Sequence, residues 1–302
     1  MRPGDTEDFF QVASLGPFAA SARNGYCRDN ALWLMEFSRL IYRQENDEVD
    51  RPAGYKTRNS FLQPHGWNEA EFFNTGDTQA GWFVNPVLKC AVLVFRGTLG
   101  IADTITDLEF DQVTWSGPGK VHVGFNNALA DVWDDVLSKL IACQYPVFFT
   151  GHSLGAALAT LAAARCLQSR IIGGAQPAAI YTFGSPRVGG PGFHEAFGNL
   201  FHCRVVNDED IIPTLPPKKP DLILPPYHHV GQMHRLEKGG HLHVFPSGAD
   251  AGETWDPIAE LEKMIHSVKC ARRSQPHVDI RIPKPLCDHT PVNYTAHLEK
   301  AS

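Results

Sequence analysis

Residues 145–164 read Tyr145-Pro146-Val147-Phe148-Phe149-Thr150, then Gly151-His152-Ser153-Leu154-Gly155, then Ala156-Ala157-Leu158-Ala159-Thr160-Leu161-Ala162-Ala163-Ala164. The first run is short, apolar and aromatic, the signature of a buried strand. The last is rich in alanine and leucine, the signature of a buried helix. Between them, Gly-x-Ser-x-Gly at a strand-to-helix junction has the form of a nucleophile elbow. So tight a turn strains the serine backbone, and side chains at the flanking positions would clash with the strand and the helix. The strain lifts the Ser153 hydroxyl clear of the main chain, where a histidine can reach it. It also sets the Leu154 amide at a helix N-terminus, where the macrodipole favours negative charge. The five residues alone are weak evidence; their flanks supply the context.

The bulk numbers fit an enzyme-sized globule. With 43% hydrophobic and 20% charged residues, the 302-residue chain can build a large core. A formal charge of -6 without any basic run argues against a nucleic-acid partner. No stretch approaches the roughly 20 apolar residues that span a bilayer. Met1 to Asp8 lacks the apolar core of a signal peptide, which leaves a cytoplasmic protein or one whose leader is absent from this chain. The seven cysteines form no Cys-x-x-Cys pair and no metal-ligand spacing. Most read as reduced core residues, with a disulfide from Cys27 to Cys270 or Cys287 left open.

Working outward, strands alternate with helices, which implies βαβ units and a mostly parallel sheet. The fold class is α/β, with helices on both faces of the central sheet, in one domain over 1–302. Residues 1–24 read as a mobile or surface arm. Arg28 to Gln44 has the spacing of an amphipathic helix, and Glu45 to Gly66 reads as loop. Gly81 to Val84 and Leu88 to Phe95 read as a hairpin. Asn126 to Cys143 reads as a long helix, and Ala178 to Phe183 and Phe201 to Val206 as strands. A hairpin is expected around Lys238 to Gly240, a helix over Pro257 to Val268, and a helical tail after His289.

An elbow serine needs a second oxyanion donor from a loop after an early strand. Thr98, after Leu88 to Phe95, can offer its amide and its hydroxyl there, and can equally cap the next helix. Ile101, Ile105 and Leu108 give that next helix one apolar face. It suits either a lid over the site or a helix packed permanently on the core.

In an α/β-hydrolase the acid follows the serine in the chain, and the histidine follows the acid. Asn207-Asp208-Glu209-Asp210 lies just past a strand, where catalytic groups gather, and its three carboxylates compete for the role. Nine histidines follow. His228, His229, His234, His241 and His243 belong to a predicted hairpin and His266 to a helix, whereas His289 sits in a polar step before the final helix. His152 adjoins the serine, but neighbours on a tight turn point apart, so it is no base for Ser153.

Several blocks together resemble the class 3 lipases, the family that includes the filamentous-fungal triacylglycerol lipases. They are Val94-Phe95-Arg96-Gly97-Thr98, Asp107-Leu108, Val121-His122-Val123-Gly124-Phe125, Gly151-His152-Ser153-Leu154-Gly155-Ala156 and Thr182-Phe183-Gly184-Ser185-Pro186-Arg187-Val188-Gly189. Val206-Asn207-Asp208-Glu209-Asp210-Ile211-Ile212-Pro213, Leu215-Pro216-Pro217 and His229-Val230-Gly231 follow in family order. The resemblance singles out Asp210 as the acid and His289 as the base to Ser153. It implies an oxyanion hole from Thr98, by amide and hydroxyl, and the Leu154 amide. It also implies a lid over Leu99 to Phe110, although Thr104 stands where fungal members often carry a tryptophan, which trims the lid's apolar face. The implied activity is a serine carboxylic ester hydrolase, most of all a triacylglycerol lipase, working at a lipid–water interface through an acyl-enzyme without metal or organic cofactor. Phospholipase A1, a short-chain esterase and a catalytically silent lipid-binding module are the alternatives.

Overall fold

The computed structural model describes residues 6–43, 45, 54–98, 110–169, 174–218, 226–237, 239–250, 263, 264, 266 and 283–301. Among these, ten strands and the helices that position the site are, in chain order, α1 (Arg28–Leu40), α2 (Arg58–Leu62), β1 (Asn68–Thr75), β2 (Thr78–Asn85), β3 (Cys90–Phe95), β4 (Gln112–Thr114), β5 (Lys120–His122), α3 (Val123–Ala142), β6 (Val147–His152), α4 (Leu154–Gln168), β7 (Pro177–Phe183), β8 (His202–Asn207), β9 (Gln232–Leu236), β10 (Leu242–Ser247), α5 (Lys284–Asp288) and α6 (Pro291–Lys300).

Eight strands form one sheet in the order β1-β2-β3-β6-β7-β8-β9-β10. The central pairs β3·β6, β6·β7, β7·β8 and β8·β9 are parallel. Antiparallel hairpins flank them, β1·β2·β3 on one side and β9·β10 on the other. This is the α/β-hydrolase arrangement, a mostly parallel sheet with helices on both faces.

Strand alternation distributes the core. On β3, Val92 and Val94 pack with α1 and α6, while Ala91, Leu93 and Phe95 pack with α3 and α4 on the other face. The central strands are buried along their length; β3 reads as a continuous apolar run, whereas β6 ends in Thr150, Gly151 and His152 and β8 buries His202, Arg204 and Asn207. Helix α4 is buried almost all round, which its alanines permit, since small side chains let it lie close to β3, β6 and β7.

Several expectations need correction. Within Glu45 to Gly66 the described part folds as α2 followed by a 3₁₀ turn over Gln63–His65, with Thr57 capping α2 through the Ser60 amide. The alternation of β1 lies mostly at the surface and was not anticipated. The arm over 1–24 is packed rather than mobile across its described part. Phe9, Phe10 and Phe18 are buried in the core, and Phe18 meets Trp67 and Phe148 edge-on. Phe10 is fastened by its amide to the buried Glu36 carboxylate at 2.7 Å, and that carboxylate also takes Arg39 at 2.9 Å and the Thr295 hydroxyl at 3.0 Å. Burial raises the Glu36 pKa, and these three partners work against that rise.

The expected lid, with Ile101, Ile105 and Leu108, lies outside the described residues, as does nearly all of the helix over Pro257 to Val268. Cys27 and Cys287 are free thiols, and Cys270 is outside the described residues. Among the described residues no helix is long and apolar enough to cross a membrane.

Candidate active site

Ser153 links β6 to α4 with φ 59° and ψ −127°, a backbone conformation that a non-glycine residue holds only under strain. Both glycines of the pentapeptide are required by contact. A Cβ on Gly151 would overlap the Gly155 carbonyl, and a Cβ on Gly155 would overlap the Phe95 carbonyl at the end of β3. The serine amide donates to the Phe183 carbonyl at 3.0 Å, and the serine carbonyl accepts from the Ala156 amide at 3.0 Å. The residue is only 7% exposed.

The histidine arrives from the far end of the chain. His289 caps the short helix α5 and is fully buried. Its Nδ1 lies 2.9 and 2.8 Å from the two Asp210 oxygens. A carboxylate accepts, so Nδ1 carries the proton and Nε2 is left as the basic nitrogen. Nε2 is buried and makes no hydrogen bond. Asp210 follows β8 and is held on three sides. Besides His289, its Oδ2 accepts from the Tyr294 hydroxyl at 2.6 Å and its Oδ1 from the Ile212 amide at 2.9 Å. The Tyr294 hydroxyl in turn accepts from the Asn207 amide at 3.1 Å. Burial, and then the Asp210 charge beside it, raise the Tyr294 pKa well above the ordinary value, so the phenol stays a donor.

His152 joins this pair to the elbow. Its ring lies 4.5 Å from the His289 ring, centroid to centroid, and its Nε2 donates to the His289 carbonyl at 2.6 Å. Nδ1 is then the acceptor and takes the Tyr42 hydroxyl at 3.2 Å. Burial, and then the neighbouring His289, lower the His152 pKa well below 6.5, so this imidazole stays neutral. The sequence reading excluded His152 as a base and missed its structural use, which is to grip the main chain of the base.

The loop carrying Thr98 closes the other side. A Cβ on Gly97 would overlap the Tyr42 hydroxyl and come 3.2 Å from Ser153 Cβ, so the step Gly97-Thr98 abuts the serine. Leu154 opens α4, where its amide is among those without an intrahelical carbonyl. Thr98, Ser153 with Leu154, and Asp210 thus follow the C-terminal ends of the parallel strands β3, β6 and β8, and His289 is joined to them through Asp210 and His152.

The competition among the three acids resolves by direction. Asp208 and Glu209 face Lys284, at 2.7 and 3.4 Å, and Asp210 alone faces the imidazole. Tyr42 carried no signal in the sequence, and Asn207 entered there only as the first residue of the stretch that ends at Asp210. For Tyr294 the one available hint was its place five positions after His289, in the helical tail expected there.

A family model described as Lipase (class 3) matches residues 92–219, which hold the elbow, the Gly97-Thr98 step and Asp210. The solved triacylglyceride lipase of Rhizomucor miehei is 30% identical, with 57% of this chain and 67% of that one aligned at a TM-score of 0.50. The chain belongs to the class 3 lipase family. Another solved triacylglycerol lipase, whose catalytic centre is a serine protease triad, is 29% identical, with 63% of this chain and 75% of that one aligned at a TM-score of 0.53. Among curated relatives, the Rhizomucor miehei lipase is 37% identical over 139 residues, 43% of this chain and 38% of the relative. Phospholipase A1-II 6 of Oryza sativa subsp. japonica is 30% identical over 219 residues, 60% of this chain and 51% of the relative. This class 3 lipase chain therefore spans about half or less of the length of these two curated relatives.

Proposed function

We propose that this class 3 lipase chain is a serine carboxylic ester hydrolase acting on acylglycerols, with Ser153 as nucleophile, His289 as general base and acid, and Asp210 as its orienting carboxylate. The observation that carries this reading is the buried His289–Asp210 pair, delivered to the elbow with Nδ1 protonated and Nε2 free to take a proton. Ser153 Oγ attacks the ester carbonyl as its proton passes to His289 Nε2. Asp210 stabilises the imidazolium through Nδ1. The amides of Thr98 and Leu154, with the Thr98 hydroxyl, face the oxyanion, where losing one donor typically costs about 10²–10³ in turnover. The imidazolium then gives its proton to the leaving alcohol. Water, deprotonated by His289, releases the acid from the acyl-enzyme. Leu99 to Phe110 is proposed as the lid, through Ile101, Ile105 and Leu108.

A fluorophosphonate probe tests the nucleophile. Labelling of the wild type at Ser153 and none of Ser153→Ala is the expected result. An unlabelled wild type would make the chain a silent lipid-binding module. Release of fatty acid from triolein against phosphatidylcholine then tests the substrate. The rice relative named as a phospholipase A1 favours the second reading, and faster release from phosphatidylcholine would establish it.

A further inference from the structure

Lys284 lies on α5, the short helix that ends at Asp288 beside His289. Its ammonium donates to Asp208 Oδ2 at 2.7 Å and to Asp288 Oδ2 at 2.5 Å, with Glu209 Oε1 at 3.4 Å. Asp208 and Glu209 belong to the turn that delivers Asp210. Asp288 is the residue before His289. One ammonium therefore sits between the two stretches of chain that supply acid and base, drawn from positions far apart in the sequence. Asp208 holds φ at 36°, a left-handed conformation uncommon for a side-chain-bearing residue, and this turn points its carboxylate at the lysine. Desolvation alone would lower the lysine pKa; the bonds to Asp208 and Asp288 outweigh it and raise the pKa instead, so the charge is permanent at any working pH.

The rest of the joint adds one further cation, the Arg235 guanidinium on β9, which donates to the Asp208 carbonyl at 3.2 Å. The Asn207 side-chain amide donates to the Asp288 carbonyl at 2.8 Å, and the Glu209 amide donates to Asp288 Oδ2 at 3.3 Å. Neither bond cancels charge. Arg235 reaches the Asp208 side of the joint, whereas Lys284 bridges both carboxylates; without the ammonium, Asp208 and Asp288 would face each other with no cation between them, and like charges at such range push the two segments apart. The Lys284 side chain is 38% exposed and takes no part in either core cluster, so its removal spares the apolar packing.

We propose that Lys284 is a positioning residue, a clasp that holds the Asp208-Glu209 turn against the Asp288-His289 step and so sets the register of His289 on Asp210. The inference rests on the triad reading above. His289 faces Asp210 and His152, Tyr294 reaches the same Asp210 carboxylate, and one layer further out the clasp adds a cation balanced against Asp208, Glu209 and Asp288, with Arg235 on the Asp208 carbonyl.

The test compares wild type, Lys284→Arg, Lys284→Met, Asp208→Asn and the double variant Asp208→Asn/Lys284→Met on a soluble p-nitrophenyl ester. Lys284→Met should lower kcat about 10- to 100-fold with KM within about twofold, the scale of a misplaced reacting group. The acidic limb of its kcat/KM profile should move up by roughly half a pH unit, because uncompensated carboxylates favour the imidazolium. Sodium chloride at high concentration and the double variant should each recover part of the loss, and Lys284→Arg should stay near wild type. Wild-type kcat and an unmoved acidic limb in Lys284→Met would overturn the clasp. Should Lys284→Met not fold, Asp208→Asn carries the test alone: a several-fold loss of kcat supports the clasp, and an unchanged kcat with an unchanged acidic limb overturns it. Fluorophosphonate labelling runs in parallel. A wild type that neither hydrolyses nor labels overturns the triad reading, and one that labels at the same rate as Lys284→Met overturns only the clasp.

Discussion

The two halves of the site are held by different forces. On the serine side, position comes from sterics, within the pentapeptide itself and against the end of β3. Gly151 and Gly155 let β6, α4 and β3 approach, and Ser153 is bent because nothing else fits. On the acid and base side, position comes from hydrogen bonds and charges, with Asp210 receiving His289 and Tyr294 from some 80 positions away and the Ile212 amide from its own turn. The first kind of order is abrupt and indifferent to solution conditions. The second is graded, and pH reaches it.

The sharpest way to break this contrast is at the glycines. Gly155→Ala should abolish activity and lower stability by at least about 1–3 kcal/mol, the usual cost of overpacking, with no recovery at any pH or salt. Fluorophosphonate labelling together with thermal melting reads both effects, and an active Gly155→Ala protein would end the steric account. Next comes Asp210→Asn, which should keep the fold and lower kcat by about 10⁴, since the amide favours the wrong imidazole tautomer. Steady-state kinetics on a soluble ester decides it, and a loss under tenfold would mean that the pair does not orient the base. Tyr294→Phe should cost less, about 1–3 kcal/mol of stability for the lost bond to a buried carboxylate, with kcat down about tenfold. Equilibrium denaturation and kcat, measured on the same preparation, separate the two.

The smallest effect per group concerns acid sensitivity. Burial, and then the nearby Arg204 charge, lower the pKa of His202 to about 3 and of His234 to about 4. His229 is lowered in the same way, by burial and by Arg204 and Arg187, and His152 by burial and His289. The unfolded chain binds protons on these rings near pH 6.5, and the folded chain does not. Their contribution to stability is therefore complete above that pH and is lost as pH falls from there toward the folded values. Each ring steepens the decline by at most about 1.4 kcal/mol per pH unit. Denaturation midpoints between pH 7.5 and 4.5 should fall less steeply in His234→Phe than in wild type. Equal slopes would refute the account.

The same contrast explains what could be read from sequence. The elbow was legible because its cause lies inside five residues and their flanks. The parallel sheet was legible because strands alternate with helices along the chain, the strands marked by the apolar run of β3 and the largely apolar stretches of β6 and β7. The resemblance, rather than the residues themselves, separated Asp210 from Asp208 and Glu209, because the distinction depends on which way each carboxylate leaves a turn. Tyr294 and Lys284 stayed silent for the same reason. Their partners are adjacent only once β8 and the final two helices have docked. The aromatic side chains of the arm looked loose because Trp67 and Phe148, the rings that receive Phe18, sit far along the chain.

Glu36 has a consequence that reaches beyond anchoring. The carboxylate that catches Phe10 also takes the hydroxyl of Thr295, the neighbour of Tyr294 on α6. The rotation of that helix, and with it the aim of the phenol at Asp210, is thereby tied to a segment that touches no reacting atom. An insertion in the arm, or a protease cut there, would show itself first as a slower enzyme and only later as an unstable one.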